Sequence, residues 1–262
     1  MKIELLELVD SKTSRGNLPK GWYNINGDVF LVKGNFHPNM TSGHTYDPYS
    51  EAMATLIARR LGFEHINYML LPKQYFPDLD VYGINHVSIC KKLTLPQQTM
   101  RPLQRYLIDR FGVSKEDAFM QYKQVLPSLP LYKMLVFDAF TGNEDRHLFN
   151  IDIIVDVLTG EERLAPIFDN GASLLSWVDA KDLKLASHFN KLDRAKPFRT
   201  THQKQIKLVD QKIFPKINLD ALYTTIIQDI TPILRLLPED RANAIVKYLK
   251  WRMRYIGKVM EE

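Results

Sequence analysis

The sequence predicts an α+β fold of two lobes, a strand-rich N-terminal lobe and a mainly helical C-terminal lobe, and three patterns support this prediction. Residues 1–90 contain apolar runs of strand length and a single helical pattern. Residues 91–262 contain mostly segments with helical periodicity. A short alternating pattern near residues 151–168 interrupts those helices. We therefore place the lobe boundary after residue 90, with a cleft between the lobes.

The N-terminal lobe contains a predicted hairpin whose turn is Asn26-Gly27. A tight primed turn needs positive φ at both central residues, and these two residue types tolerate it. The strand that follows, from Val29 to Lys33, is apolar except for its last residue. A charge at the end of a buried strand is costly unless it is used, so Lys33 is a candidate functional residue.

A helix is predicted from about residue 51 to residue 61, because its apolar side chains fall on one face. Ser50 or Asp47 is the candidate N-cap, and Gly62 is the predicted stop. The other predicted elements are strands Tyr68–Leu71 and His86–Cys90, helices Pro102–Phe111, Lys115–Val125 and Leu131–Thr141, a hairpin of Ile151–Val157 and Arg163–Phe168, and helices Asp220–Leu236 and Pro238–Met260.

The composition is that of a globular protein. Of the 262 residues, 45% are hydrophobic and 25% are charged, which are typical values for folded domains. The single cysteine excludes an intrachain disulfide and fits a reducing compartment. The N-terminus lacks the pattern of a signal peptide, and no apolar stretch reaches membrane-spanning length. We therefore expect a cytoplasmic protein with no membrane partner.

The net charge of +5 is concentrated in a basic stretch after residue 179. An anionic partner such as RNA is one interpretation, and a solvated basic face is the other. We favour the second, with no direct nucleic-acid contact, because the charges do not fall in a nucleic-acid-binding motif. The basic residues of this stretch are Lys181, Lys184, Lys191, Arg194, Lys196, Arg199, Lys204 and Lys207.

The motif that carries chemistry is Asp145 with Asn150 five positions later, followed after an apolar run by Asp169-Asn170-Gly171. This spacing is typical of the catalytic loop and the magnesium-binding segment of phosphotransferases. Asp145 is the candidate base that receives the proton of the attacking hydroxyl. Asn150 and Asp169 supply the hard oxygen ligands that Mg²⁺ prefers, and Gly171 would give the backbone the freedom that Asp169 needs.

Two further residues complete the predicted site. Lys33 is the candidate for pairing with the α- and β-phosphates of a nucleotide, and Glu51, at the start of the following helix, is its natural counter-ion. A surface lysine and a first-turn acid favoured by the helix dipole are the alternatives. Arg146 and His147 are expected to fix the loop by hydrogen bonds rather than to take part in the reaction.

The chain resembles the HipA-like serine/threonine kinases, a bacterial branch of the protein-kinase fold. Five blocks in family order, spanning roughly residues 30–200, carry the resemblance. They are Phe30-Leu31-Val32-Lys33, Ser50-Glu51-Ala52 with Arg59-Arg60-Leu61-Gly62, Gly142-Asn143-Glu144-Asp145-Arg146-His147 with Asn150, Ala165 to Leu174, and Lys196-Pro197-Phe198-Arg199. The order Asp-Arg-His is also similar to that of phosphatidylinositol kinases, so that alternative stays open.

The resemblance implies a bilobal protein-kinase-like fold that binds ATP and Mg²⁺ in its cleft. Ile89, Cys90 and Lys91 fall where the two lobes should join, and their backbone groups would hold adenine, with the Cys90 thiol as inert packing. No glycine-rich loop precedes Lys33. The loop at residues 11–17 takes that place, and the resemblance implies autophosphorylation there, at Ser11, Thr13 or Ser14.

The resemblance also implies a set of partners. The expected substrate is a protein, with the translation machinery as the family's usual target. The chain starts close to the kinase core, as in the short branch of the family, so a separate antitoxin-like regulator is a further expectation. A bacterial cytoplasmic location is implied, with delivery into a host cell left open. The alternatives are a lipid or small-molecule kinase and a non-catalytic nucleotide- or RNA-binding module.

Overall fold

The computed structural model describes residues 1–9, 18–37, 40, 42–113, 117–183, 193–214 and 218–261. The candidate phosphorylation sites Ser11, Thr13 and Ser14 lie outside these residues, as do Lys184 and Lys191 of the basic stretch. Among the described helices, none is both long and apolar enough to cross a lipid bilayer.

A five-stranded antiparallel sheet forms the N-terminal lobe, in the order β1-β2-β3-β5-β4. The predicted turn is confirmed, because Asn26 and Gly27 have φ values of 53° and 97°. Val32 packs into the core on one face of this sheet, so its neighbour Lys33 points to the opposite face. The strands are β1 (Ile3–Val9), β2 (Lys20–Ile25), β3 (Asp28–Lys33), β4 (Tyr68–Pro72) and β5 (His86–Lys91).

Helix α1 (Asp47–Arg60) begins earlier than predicted. Its N-cap residue is Tyr46, without a side-chain capping bond, so the prediction of Ser50 or Asp47 as the cap is wrong. Pro48 lies in the first turn, where its fixed φ and missing N–H favour a helix start. Ser50 is therefore inside the helix, and its hydroxyl is available for other contacts. Gly62, with φ of 66°, follows the end of the helix as predicted.

The C-terminal lobe is mainly helical and contains a small antiparallel sheet in the order β6-β7-β8. The predicted hairpin is present as β7 and β8, whereas β6 was not predicted, because this edge strand is polar and ends in a proline. The elements are β6 (Gln98–Pro102), α2 (Leu103–Phe111), α3 (Ala118–Val125), α4 (Ser128–Thr141), β7 (Asp152–Asp156), β8 (Glu162–Leu164), α5 (His202–Ile206), α6 (Leu219–Leu234) and α7 (Glu239–Glu261).

Helix α4 delivers the chain into the predicted catalytic loop. Most of its apolar side chains are buried in the largest core, and Leu131 and Phe137 are fully buried. The helix ends at Gly142, which adopts a left-handed conformation with φ of 67°. A Cβ atom at Gly142 would lie 2.0 Å from the hydroxyl oxygen of Tyr248 on α7. Only glycine fits there, so the start of the loop is fixed against α7.

Helix α1 is attached to the C-terminal lobe at both of its ends. Near its start, the Ser50 hydroxyl shares its one donated proton between the backbone oxygens of Asn170 (2.9 Å) and Ser173 (3.0 Å). At its end, the guanidinium of Arg60 makes a two-pronged ion pair with Asp229 of α6, with N–O distances of 2.8 and 2.9 Å. The helix therefore joins the sheet to the C-terminal lobe.

Candidate active site

Three predicted site residues meet at a buried ion cluster between the lobes. The Nζ atom of Lys33 lies 2.8 Å from Glu51 Oε1 and 2.8 Å from Asp169 Oδ1. Burial alone would lower the pKa of Lys33, but the carboxylates of Asp169 and Glu51 outweigh it and hold that pKa well above its ordinary value. The lysine is therefore charged and rigidly positioned, as a phosphate-binding cation must be.

The segment around Asp169 has a strained conformation. Asp169 itself has a left-handed φ of 54°, which costs about 1 kcal/mol for a residue with a Cβ atom. Gly171 does not supply this conformation, so the prediction that it gives Asp169 its backbone freedom is wrong. Its smallness is needed instead, because a Cβ at Gly171 would lie 2.7 Å from Asp47 Oδ2. The side chain of Asp169 stays 37% exposed, so it can be reached from the cleft.

The loop after α4 holds Asp145 and Asn150 close together. Asn143 Oδ1 accepts a hydrogen bond from the Asp145 backbone N–H (3.0 Å). Asn150 Nδ2 donates to the Asp145 backbone oxygen (3.2 Å), and the Asn150 backbone N–H donates to the His147 oxygen (2.8 Å). The loop is thus closed by its own side chains, and its Asp145 carboxylate is 29% exposed.

Arg146 fastens this loop to the segment that carries Asp169. Its guanidinium is fully buried and binds Asp138 of α4 at 3.0 and 3.1 Å. It also donates to the Asn150 backbone oxygen at 3.1 Å, to the Phe168 backbone oxygen, and to Asn170 Oδ1 at 2.6 Å. The predicted structural role of Arg146 therefore agrees with its contacts, which bring the two halves of the motif to one side chain.

Lys196 is a site residue that the sequence did not predict. Its Nζ atom lies 2.9 Å from Asp145 Oδ1, so the candidate base has a cation as its partner. In the sequence, Lys196 belonged to the basic stretch and to a block of the resemblance without a role of its own. The two residues are 51 positions apart, and the sequence between them lacks regular periodicity. Residue spacing therefore gives no signal of this contact.

The residues expected at the adenine site lie in β5. Ile89 and Cys90 pair with β3 on one side and β4 on the other, so a bound base would reach backbone groups only from Lys91 onward. The side chain of Ile89 belongs to the core of the sheet. Burial raises the pKa of the Cys90 thiol to about 11, which is consistent with inert packing rather than nucleophilic chemistry.

The donor set fits a magnesium ion. Asp169 and Asn150 offer carboxylate and amide oxygens, which are the hard ligands that Mg²⁺ binds, and this ion keeps much of its water shell. Because Asn150 Nδ2 donates a hydrogen bond to the Asp145 backbone oxygen, Asn150 Oδ1 is the atom that would bind the metal ion. Arg146 positions both donors, because it donates hydrogen bonds to the backbone oxygen of Asn150 and to that of Phe168, the residue before Asp169.

Asp47 packs against the segment that follows Asp169, and its burial predicts a pH dependence of protein stability. Its Oδ1 accepts hydrogen bonds from Ser176 Oγ (3.1 Å) and Trp177 Nε1 (2.8 Å). Burial raises its pKa from 3.8 to about 6. Because the folded pKa lies above the unfolded one, the wild type loses stability as the pH rises through about 6, whereas Asp47→Asn does not titrate.

We therefore expect the free energy of unfolding of Asp47→Asn, relative to that of the wild type, to increase by roughly 1–2 kcal/mol when the pH is raised from about 5 to about 8. Urea unfolding of both proteins in EDTA at the two pH values measures this change. A stability difference that is the same at both values would contradict it.

Comparison with solved structures identifies the class of fold. The fold is protein-kinase-like: it is similar to that of the Helicobacter pylori proinflammatory kinase CtkA, with a TM-score of 0.69 and 21% sequence identity over 97% of this chain and 94% of that chain. The predicted bilobal α+β fold is thereby confirmed.

Two further structures also match. Shewanella oneidensis HipA, solved with HipB and operator DNA, has a TM-score of 0.48 and 15% identity over 99% of this chain and 65% of its own. The Golgi casein kinase has a TM-score of 0.47 and 13% identity, covering 95% of this chain and 72% of its own. No protein-family model matches the chain, and no curated protein matches it in sequence.

Proposed function

We propose that this protein is an ATP- and Mg²⁺-dependent kinase that transfers the γ-phosphoryl group to a serine or threonine of a protein. The observation that carries the proposal is the buried Lys33, held at 2.8 Å by both Glu51 and Asp169 in the cleft of a kinase-like fold. A structural lysine needs one counter-ion. A lysine held by two carboxylates, one of them exposed to the cleft, is suited to bind phosphate beside a metal.

The other residues have separate roles in this proposal. Asp169 and Asn150 would hold the magnesium ion, which neutralises charge on the phosphates when bound. Lys33 binds the α- and β-phosphates, and Asp145 orients the acceptor hydroxyl and receives its proton. Lys196, 2.9 Å from Asp145 Oδ1, adds positive charge where the phosphoryl group passes. Positioning and charge stabilisation are most of what phosphoryl transfer needs from a protein.

The finer parts of the proposal follow from the HipA-like resemblance. The protein substrate would be a component of the translation machinery, and an antitoxin-like partner would restrain the enzyme.

Phosphate transfer from radiolabelled ATP tests the proposal. Wild type and Asp169→Asn are incubated with bacterial lysate, with and without EDTA, and in parallel with phosphatidylinositol vesicles. We expect labelled protein only with the wild type and magnesium, and phosphoserine or phosphothreonine after acid hydrolysis. Labelled lipid without labelled protein would favour the lipid-kinase alternative. ATP binding without any label would favour a nucleotide-binding module.

Autophosphorylation near the N-terminus is a separate prediction. Wild-type protein incubated with magnesium and ATP should carry phosphate on Ser11, Thr13 or Ser14, because the resemblance implies that this loop takes the place of the phosphate-covering loop. The added charge would then repel the bound nucleotide. Mass spectrometry of the tryptic peptides measures it, with Asp145→Asn as the control. A fully active enzyme with no phosphate at these three residues would contradict the prediction.

A further inference from the structure

One face of α7 forms a basic groove that the proposed chemistry does not use. The groove is open to solvent and has a volume of about 450 Å³. Its four cationic residues are exposed, and its two aromatic residues are half-buried. The lining residues are Lys247, Lys250, Trp251, Arg254, Tyr255 and Lys258. We call this surface the α7 groove.

The charge of the α7 groove is largely uncompensated. Among the described residues that line it, none is an aspartate or glutamate. Arg254 makes an exposed ion pair with Asp220 at 3.2 Å. Among the residues whose side chains the structure describes, no carboxylate forms an ion pair with Lys247, Lys250 or Lys258. A concave surface lined by charges of one sign focuses the field and attracts groups of the opposite sign. The occupant that fits is anionic.

The aromatic residues argue against a nucleic acid as that occupant. Trp251 stacks on Tyr255 with ring centroids 4.9 Å apart and planes at 12°, and on Tyr248 at 6.2 Å and 25°. Tyr248 and Tyr255 precede and follow Trp251 by about one helical turn each. Trp251 is therefore already stacked on two neighbouring rings. Single-stranded nucleic acids bind largely by stacking bases on open aromatic faces, and a ring engaged in this way is less suited to them.

The position of the groove connects it to the candidate active site. Leu183, which ends the described part of the segment after Asp169, packs in one cluster with Tyr248 and Trp251. The hydroxyl of Tyr248 also closes against Gly142 at the start of the Asp145 loop. The α7 groove therefore lies beside the segment that leads away from the proposed metal site.

We propose that the α7 groove binds an acidic segment of the protein substrate and so holds that substrate beside the active site. This inference rests on the proposed kinase function. The cations from Lys247 to Lys258 span about 16 Å along the helix, which matches roughly five residues of extended chain. A short run of aspartate, glutamate or phosphorylated residues fits that length and supplies the missing negative charge.

Binding of a fluorescein-labelled oligoglutamate peptide to the full chain, measured by anisotropy, tests the proposal. The groove variant is Lys247→Glu with Lys250→Glu. The control is Lys2→Glu with Lys123→Glu, two exposed lysines outside the groove that give the same net charge. We expect the groove variant to bind at least about tenfold more weakly and the control to stay within about twofold of the wild type. Thermal unfolding checks that both variants fold.

Equal losses in the two variants, or no binding by the wild type at low salt, would overturn the proposal. Tighter binding of a labelled oligouridylate, lost only in the groove variant, would overturn it in favour of RNA. Label transfer from ATP is measured in parallel, because it separates the two proposals. Phosphate transfer together with peptide binding that the groove variant does not weaken specifically would overturn the docking proposal but not the kinase proposal. Groove-specific binding without any transfer would overturn the substrate role and the kinase proposal together, leaving only an acidic-partner surface.

Discussion

Replacing Arg146 with methionine is expected to lower the free energy of unfolding by about 3–5 kcal/mol. Arg146 is fully buried and pairs with Asp138, which is equally buried. Methionine fills much of the same space but leaves the Asp138 carboxylate without its counter-ion. It also leaves the backbone oxygens of Asn150 and Phe168 without this donor. The cost of an unpaired buried charge, rather than the lost packing, dominates the expected effect.

Urea unfolding monitored by circular dichroism measures this loss. The matched control is Arg163→Met, because Arg163 pairs with Glu64 on the surface, where an ion pair contributes less than about 1 kcal/mol. Adding Asp138→Asn to Arg146→Met should recover part of the loss, since it removes the unpaired charge. An Arg146→Met protein as stable as the Arg163→Met control would show that the buried pair does not hold the loop.

Asp145→Asn is expected to lower kcat for phosphoryl transfer by about 10²–10⁴-fold while ATP affinity changes by less than about twofold. The amide keeps the shape of the side chain and its contact with Lys196, but it cannot accept the proton of the acceptor hydroxyl. In the proposed function, the nucleotide is bound by Lys33 and by the residues that would hold the metal ion, and the substitution does not change these side chains. The side chain of Asp145 is 29% exposed, so the fold should tolerate the change.

The control for this prediction is Asp117→Asn. Asp117 is similarly exposed and also has a basic partner, Arg199 at 2.7 Å, but it caps α3 and is not one of the predicted site residues. Its replacement should leave kcat within about twofold. Steady-state transfer rates and nucleotide binding by calorimetry give the two quantities. An Asp145→Asn enzyme with wild-type kcat would remove Asp145 from the reaction and move the role of base to another group.

The sequence predicted those features that depend on local patterns. The Asn26-Gly27 turn follows from residue type, and α4 follows from its strongly apolar run. The spacing of Asp145, Asn150 and Asp169 indicated the loop and the later segment that form the candidate site. This was possible because residues within one short loop must lie close together. The pairing of Lys33 with Glu51 could also be proposed, since a lysine at a strand end needs a nearby acid.

Contacts that depend on tertiary structure could not be predicted in this way. Asp138 looks like an ordinary polar residue in an apolar helix, and only its contact with Arg146 explains it. Lys196 reaches Asp145 across 51 positions. The α7 groove was not predicted because its tyrosine, tryptophan and basic residues follow helical periodicity, which indicates a helix face and does not reveal a groove.

The double attachment of α1 has a consequence for how such an enzyme could be controlled. Removing Glu51 from Lys33 by swinging this helix would break the buried Ser50 contacts and the Arg60–Asp229 pair together. If these contacts contribute a combined ~3 kcal/mol, fewer than about one molecule in a hundred would populate the displaced state. A helix that spends nearly all its time in place needs no activator to dock it. Regulation would then act by blocking access to the cleft, and not by moving α1 into position.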